Sequence, residues 1–433
     1  MTEARRQLGL GSASALVMAN MIGTGVFTTS GFLLRDLGSR VAVLAVWCAG
    51  GLLAWCGALC YGALARRIPE SGGEYLFLSR VLHPAVGYTA GWISLFVAFS
   101  APLASAALAF AEYLRPWTQL PPRVAASALL VVLAAVHCAR VRTGAALQSF
   151  GVALNVALIL GFLGLAAVRH ASGSIPPGAA PAAAGTVSFG TLAVALLWVS
   201  YSYSGWNAAV YVGGEVRDPE RVLPRALLLG SATVTVLYLL LNAAFLWSAP
   251  PQELAGQLAI GRIAAERLGG ASLFPWLISL ALCTFVSSMM MIGPRILARM
   301  AADGYLPRLL VPGAGAPPRT AVAVQAVLAL AMLWTATFEA MLTYVGFTLG
   351  LSTAATVLAL VVLRRREGAA RVPVAGWPWT PGLFLAGTLA CAGLGALQRP
   401  RESLWGLASI AAGLLFWRYA GRGRRPRACR TVP

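Results

Sequence analysis

Twelve stretches of this 433-residue chain are each apolar over about the 20 residues that a helix needs to cross a bilayer, and no other feature constrains the fold as strongly. They run roughly 10–34, 42–65, 84–114, 122–139, 147–168, 188–213, 226–249, 271–299, 320–337, 340–364, 380–397 and 402–420. Inside lipid every backbone polar group must be satisfied within the segment, so runs of this length read as helices. Only 11% of residues are charged, against about 25% in a soluble domain. The expectation is an all-α integral membrane protein of 12 spans. Residues 1–9 form a short basic cytoplasmic tail, and the first run is too long for a signal-peptide core, so no cleaved leader is expected. Spans 3 and 8 exceed the bilayer thickness and should tilt or project beyond it.

The formal charge of +19 raises nucleic acid as a partner. The charges argue against it, because they sit in short connections between apolar runs. All 33 basic residues are arginine. With the N-terminus inside, all but nine of them fall on the inner side, and the positive-inside rule then puts both termini in the cytoplasm. The basic tail 421–433, "RGRRPRACRTVP" with the glycine before it, reads as a topology anchor against the lipid bilayer. A bacterial cytoplasmic (inner) membrane is the expected location. Seven cysteines carry no CxxC pair, and the three histidines (His83, His137, His170) are scattered, so no metal and no cofactor is expected.

Two spans are interrupted. Span 1 contains "IGTGVF", residues Ile22 to Phe27, and span 6 contains "YSYSGWNAAVYVGG" from Tyr201. Glycine in a helix interior is unfavourable by about 1 kcal/mol relative to alanine. The interruptions lie five spans apart, so the two segments cross in opposite directions. Glycine-interrupted spans in corresponding positions of two halves point to an inverted-repeat transporter with its substrate site at the breaks. An unwound Gly23-Thr24-Gly25 would start a second half-helix whose free N–H groups suit a carboxylate. The alternative is a packing face, since small residues also let helices approach closely. In span 6 a half-helix ending near Tyr201 and Ser202 leaves carbonyls that suit an ammonium group. Tyr203, Trp206 and Tyr211 are each expected to pack.

Several further motifs bring a family into view. "RIPESGGEYLFLSRVLHPAVGYTAGW" (67–92), "SYSYSGWNAAVYVGGEVRDPERVLPRAL" (200–227), "MIGPRILARMAADGYLP" (291–307) and "FEAMLTYVGFT" (338–348) stand in order with "IGTGVF". Together they resemble the amino acid–polyamine–organocation superfamily, closest to its L-type and bacterial amino acid permeases. The resemblance implies a LeuT-type fold. Spans 1–5 (residues 10–168) and 6–10 (188–364) would be inverted repeats with discontinuous helices 1 and 6, and spans 11 and 12 (380–420) would be peripheral. It implies substrate contacts at Ile22, Gly23, Thr24, Gly25, Tyr201, Ser202, Tyr203, Ser204 and Asn207. Tyr201 falls at the family's aromatic gate, and Asn207 reads as a brace for the unwound segment.

Two departures from the family follow. Its span-5 lysine aligns with Asn155, and this chain has no lysine. Asn155 would hydrogen-bond the broken carbonyls of span 1, or a cation would take the space with Ser287 and Ser288 of span 8. A site without sodium is favoured. The connection between spans 3 and 4, "RPWTQLPP", lacks the cysteine that animal L-type chains use for a disulfide. No covalent heavy subunit is expected, and a monomer is the expected state. In the connection after span 2, Glu70 and Glu74 lie among Arg66, Arg67 and Arg80, and read either as gating ion pairs or as a static solvated cluster.

The functional expectation is a secondary-active carrier of amino acids, a permease or exchanger working by alternating access. No acidic residue falls at the centre of spans 1, 3, 6 or 8, which favours a neutral substrate. A polyamine or cationic amino acid antiporter is the alternative within transport, and a transporter-like nutrient sensor the alternative of another class. An enzyme is not expected, since no nucleophile, base and metal set converges.

Overall fold

The computed structural model describes residues 8–139, 144–172, 187–271, 273–302, 304–313 and 317–420. Most of the N-terminal tail, Arg140, Arg142 and the basic tail 421–433 lie outside the described residues.

Each apolar run is mainly helical over its described residues. The helices are α1 (Leu10–Met21), α2 (Thr24–Leu37), α3 (Arg40–Arg67), α4 (Gly73–Val81), α5 (Pro84–Ile93), α6 (Ala101–Leu114), α7 (Pro122–Ala139), α8 (Gly144–Ala171), α9 (Phe189–Tyr203), α10 (Pro219–Ser248), α11 (Pro251–Leu254), α12 (Ile260–Leu268), α13 (Phe274–Ala302), α14 (Arg319–Thr335), α15 (Phe338–Glu367), α16 (Trp379–Gln398) and α17 (Pro400–Ala420). Among the described residues, eight segments are long and apolar enough to cross a membrane, nine if the bent pair α1 and α2 counts as one.

The expected boundaries shift in places. Span 3 is continuous only through a π-helical segment, Ser94–Ser100, between α5 and α6. Pro102 lies just beyond it at the start of α6, lacks an N–H for a regular helical bond, and allows the ladder to widen there. Span 7 starts earlier than its apolar run, at Pro219, because proline is tolerated in a first helical turn. Span 6 is helical only to Tyr203; a 3₁₀ segment, Ala208–Glu215, follows after a break.

Burial separates the spans into two classes. In α2 every residue from Thr24 to Leu34 is buried, including Thr28, Thr29 and Ser30. In α7 only Ala126 and Leu130 are buried, and α17 turns Leu404, Trp405, Leu415 and Phe416 outward. A helix that is apolar all round and buried on every side is a core helix, whereas one with an outward apolar face meets lipid. α2, which follows the first break, is therefore at the centre of the bundle.

At one end of the bundle Arg35, just past α2's buried run, bonds Glu339 at the start of α15 through two N–H groups at 3.0 and 3.2 Å. Arg399 reaches the same carboxylate at 3.5 Å. Beside them Gly256 donates its N–H to the Gly31 carbonyl of α2 at 2.7 Å. The Tyr113 hydroxyl of α6 donates to the Phe27 carbonyl at 2.7 Å and accepts from the Gly261 N–H at 3.1 Å. The connection holding α11 and α12 is thus hydrogen-bonded onto α2.

Candidate functional site

The first break is short. Ile22 (φ −74°, ψ 90°) and Gly23 (φ −132°, ψ −149°) leave helical geometry, and the two half-helices meet at a 43° bend. Thr24 and Gly25 already belong to α2, so the break sits one to two residues before the sequence motif suggests. The N–H groups of α2's first turn have no partner within their own helix. The Thr24 hydroxyl is buried, and no hydrogen-bond partner is found for it among the described residues.

The second break is wider. Ser204 is extended, Gly205 has φ +99°, and Ser204 to Asn207 form turns before the 3₁₀ segment. Only glycine fits at Gly205: its φ is left-handed, and a Cβ there would lie 2.4 Å from the Asn20 carbonyl oxygen. Backbone thus meets backbone across the two broken spans.

Contacts between the breaks are direct. A Cβ on Gly25 would fall 2.3 Å from Ser202 Oγ and 2.6 Å from Ser202 Cα, and one on Gly23 would fall 2.6 Å from the Phe285 ring of α13. In this conformation both glycines serve close packing. The Ser202 hydroxyl donates to the Trp198 carbonyl at 3.0 Å and also contacts Thr29 Oγ1 at 3.0 Å. The Tyr201 hydroxyl lies 2.6 Å from Ser105 Oγ of α6, so the aromatic gate position is pinned across the bundle. Tyr203 points elsewhere: its hydroxyl donates to the Trp47 carbonyl of α3 at 3.1 Å. Trp206 packs edge-on against Tyr61 of α3, as expected.

A tyrosine that the sequence does not single out joins the two breaks. The Tyr238 hydroxyl of α10 lies 2.5 Å from the Met21 carbonyl, which ends α1, and 3.3 Å from the Ser202 carbonyl, near the end of α9. These are carbonyls that helix breaks would otherwise leave bare. Asn242, one turn on, donates to the Tyr238 carbonyl at 2.8 Å and accepts from Ser30 of α2. A tyrosine and an asparagine at i, i+4 in an apolar run were the only signal.

The contact among spans 1, 5 and 8 departs from expectation. Asn155 does not reach the broken carbonyls of span 1; its amide donates to Gly151 in its own helix at 2.9 Å. Ser287 turns away and lies 2.9 Å from His137 Nε2 of α7. On a helix, adjacent serines are about 100° apart, so both cannot face one site. Ser288 does face it, and a cavity of about 20 Å³ is lined by Asn20, Ile22, Asn155, Thr284, Phe285 and Ser288. That is room for one small polar species. A larger cavity of about 570 Å³ lies away from both breaks, among Trp92, Phe96, Leu297, Tyr305 and Phe416.

The carboxylates after span 2 also separate. Glu70 is half-exposed and pairs with Arg80 at 2.6 Å. Glu74 is neither solvated nor paired with an arginine. It is 4% exposed, and its oxygens accept from Tyr61 at 2.8 Å, Asn207 at 2.9 Å and Ser352 at 2.7 Å. Gly73 makes the placement possible, with φ +56° and the Tyr211 ring 2.6 Å from where a Cβ would stand. Asn207, at the end of the unwound part of span 6, donates to Glu74.

Comparison with known proteins fits this geometry. Residues 8–410 match the amino acid permease family, and the chain belongs to it. It is 32% identical over 380 residues to the human large neutral amino acids transporter small subunit 2, covering 84% of this chain and 70% of that one. It is 31% identical over 392 residues to the mouse Asc-type amino acid transporter 1, covering 86% and 72%. It is 26% identical over 433 residues to the mouse b(0,+)-type amino acid transporter 1, covering 96% and 88%. Among solved structures, the inward-facing conformation of Mhp1 superposes with a TM-score of 0.59 at 15% identity, over 96% of each chain. The fold is of the LeuT type.

Proposed function

We propose that this protein is a secondary-active carrier that moves neutral amino acids across the membrane by alternating access. The substrate carboxylate would sit on the N–H groups that open α2 at Gly23, Thr24 and Gly25, with the Thr24 hydroxyl as an added donor. Its ammonium group would take the carbonyls around Tyr201 to Ser204. Residues 10–168 and 188–364 would be the two inverted repeats, with 380–420 peripheral. The observation that carries this reading is the meeting of the two breaks. Gly25 packs on Ser202, and one hydroxyl, that of Tyr238, is shared by carbonyls from both broken helices. A packing face alone would not require two helices to surrender backbone bonds at one point.

Both oxygens of Glu74 are engaged by neutral donors, which leaves no free carboxylate for a cationic substrate there and supports a neutral one. The positive-inside rule supports a cytoplasmic arginine-rich face, and a bacterial inner membrane is the location that goes with this reading. The connection at 115–121 has no cysteine, which supports a carrier without a disulfide-linked subunit. Uptake of a labelled amino acid panel into proteoliposomes tests the reading, with and without internal substrate and with imposed pH or sodium gradients. Neutral amino acids are expected to move. If none moves under any gradient, the carrier assignment fails.

A further inference from the structure

We propose that Glu74 is a proton-binding site that latches the discontinuous span 6 to spans 2 and 10 and makes that latch sensitive to pH. The inference rests on the carrier reading for its orientation and extends it to the coupling ion.

The geometry carries the argument. Glu74 opens a short helix, α4, in the connection between spans 2 and 3, and its carboxyl is sealed from solvent. Its three partners come from three different elements. Tyr61 is on α3, Asn207 is in the break of span 6, and Ser352 is on α15. All three are neutral. Burial without a cation disfavours the carboxylate, and the three neutral donors offset only part of that.

Three nearby arginines are committed elsewhere. Arg80 pairs with Glu70 and Arg67 with Glu367, while Arg366 donates to the Val81 carbonyl. The other titratable groups facing Glu74 are the phenols of Tyr61 and Tyr211, and a phenol is neutral near pH 7. Burial raises the Glu74 pKa, and the bonds from Ser352, Tyr61 and Asn207 oppose that shift without cancelling it.

Linkage then gives the direction. The sealed conformation binds the proton more tightly than an open one in which water reaches the carboxyl. Lower internal pH therefore favours the sealed state. On opening, the Glu74 O–H bond breaks, the proton passes to cytoplasmic water and the electron pair stays on the carboxylate. On closing, one proton is taken back from water. Asn207 and Ser352 are released in the same step, so span 6 and span 10 part when the proton leaves. Ser352 contributes a hydroxyl, which can accept from the protonated acid as well as donate to the carboxylate, so the protonated acid keeps a partner in the sealed state.

Two measurements test this. The first is a difference infrared titration of the purified protein, which does not depend on transport. Wild type should show a carboxylic acid C=O band that titrates above the ordinary carboxylate range, and Glu74→Gln should lose it. Ser352→Ala, with one donor fewer for the carboxylate, should move that midpoint upward by about one unit. No such band in wild type, or its persistence in Glu74→Gln, overturns the proposal. The second is amino acid uptake into proteoliposomes as internal pH is varied. Wild type should change several-fold between pH 6 and pH 8, and Glu74→Gln should be flat. A wild-type profile that Glu74→Gln reproduces also overturns it. A protein that transports no amino acid yet shows the Glu74 band would sink the carrier reading and leave the proton site standing.

Discussion

The two helix breaks use the same residue types and are built differently. In the first, only Ile22 and Gly23 leave the helix, and α2 resumes as regular α-helix. It is then fixed along its length by Tyr113 on Phe27, Thr29 on Ser202, and Trp47, which donates to Ser30 Oγ at 2.9 Å. In the second, turns from Ser204 to Asn207 run into a 3₁₀ segment that is itself kinked at Val212. That segment hangs on the connection after span 2: Asn207 on Glu74, and the Gly214 N–H on Ser71 Oγ at 3.0 Å. A 3₁₀ helix has poorer hydrogen-bond geometry than an α-helix and rearranges more readily. The difference assigns roles. In the proposed mechanism the first break would be a fixed donor platform, and the second the adjustable partner tied to the 66–74 connection.

The strongest way to break this contrast is at its contact point. Gly25→Leu places a side chain into Ser202 backbone, and substrate uptake should fall at least about 100-fold with membrane insertion retained. Binding that survives would make the glycines of span 1 packing residues alone. Tyr238→Phe strips a donor from two buried carbonyls at once, a loss of roughly 1–3 kcal/mol. The melting temperature in detergent should drop by a few degrees, and an unchanged value would show that the two breaks are not held together there. Thr24→Val should do the reverse. Its hydroxyl is buried without a partner among the described residues, so stability should hold, while apparent substrate affinity weakens about tenfold for one lost charge-assisted bond. Equal affinity in isothermal titration would remove Thr24 from the site. The smallest effect belongs to Ser287→Ala. Its hydroxyl faces His137, so uptake with and without sodium should match wild type, and a changed sodium response would return Ser287 to the contact among spans 1, 5 and 8.

Much of this architecture is legible from residues alone. Apolar run length placed the helices, and "GTG" and "SG" marked both breaks to within a few residues. Gly205 stands out because a glycine flanked by polar turn formers cannot continue the apolar helix on either side of it. What the sequence hides is orientation about each helix axis. Ser287 and Ser288 are equivalent as letters but face different helices, and Asn155 back-bonds to its own turn instead of crossing to span 1. Glu74 illustrates the same limit more sharply. A glutamate between arginines in a polar connection reads as solvated. Only the fold of α4 beneath α3 and α15 shows that its charged neighbours point away and its neutral ones point in. Tyr238 escaped notice because a tyrosine in a leucine-rich span is ordinarily packing, and its role depends on two carbonyls more than 30 residues away in sequence.

The hydrogen bonds that tie the 251–268 connection to α2 have a mechanical consequence. Gly31 lies six residues beyond Gly25, about 9 Å along the helix axis, and its carbonyl holds Gly256. Six residues of stiff helix make a short pointer, with its pivot at the proposed substrate site and its tip, at buried Gly31, against the 251–268 connection. A few degrees of rotation at the pivot would carry the tip, and the connection fastened to it, in the same stroke. A fluorophore at the outer connection would then read the state of the binding site without touching it.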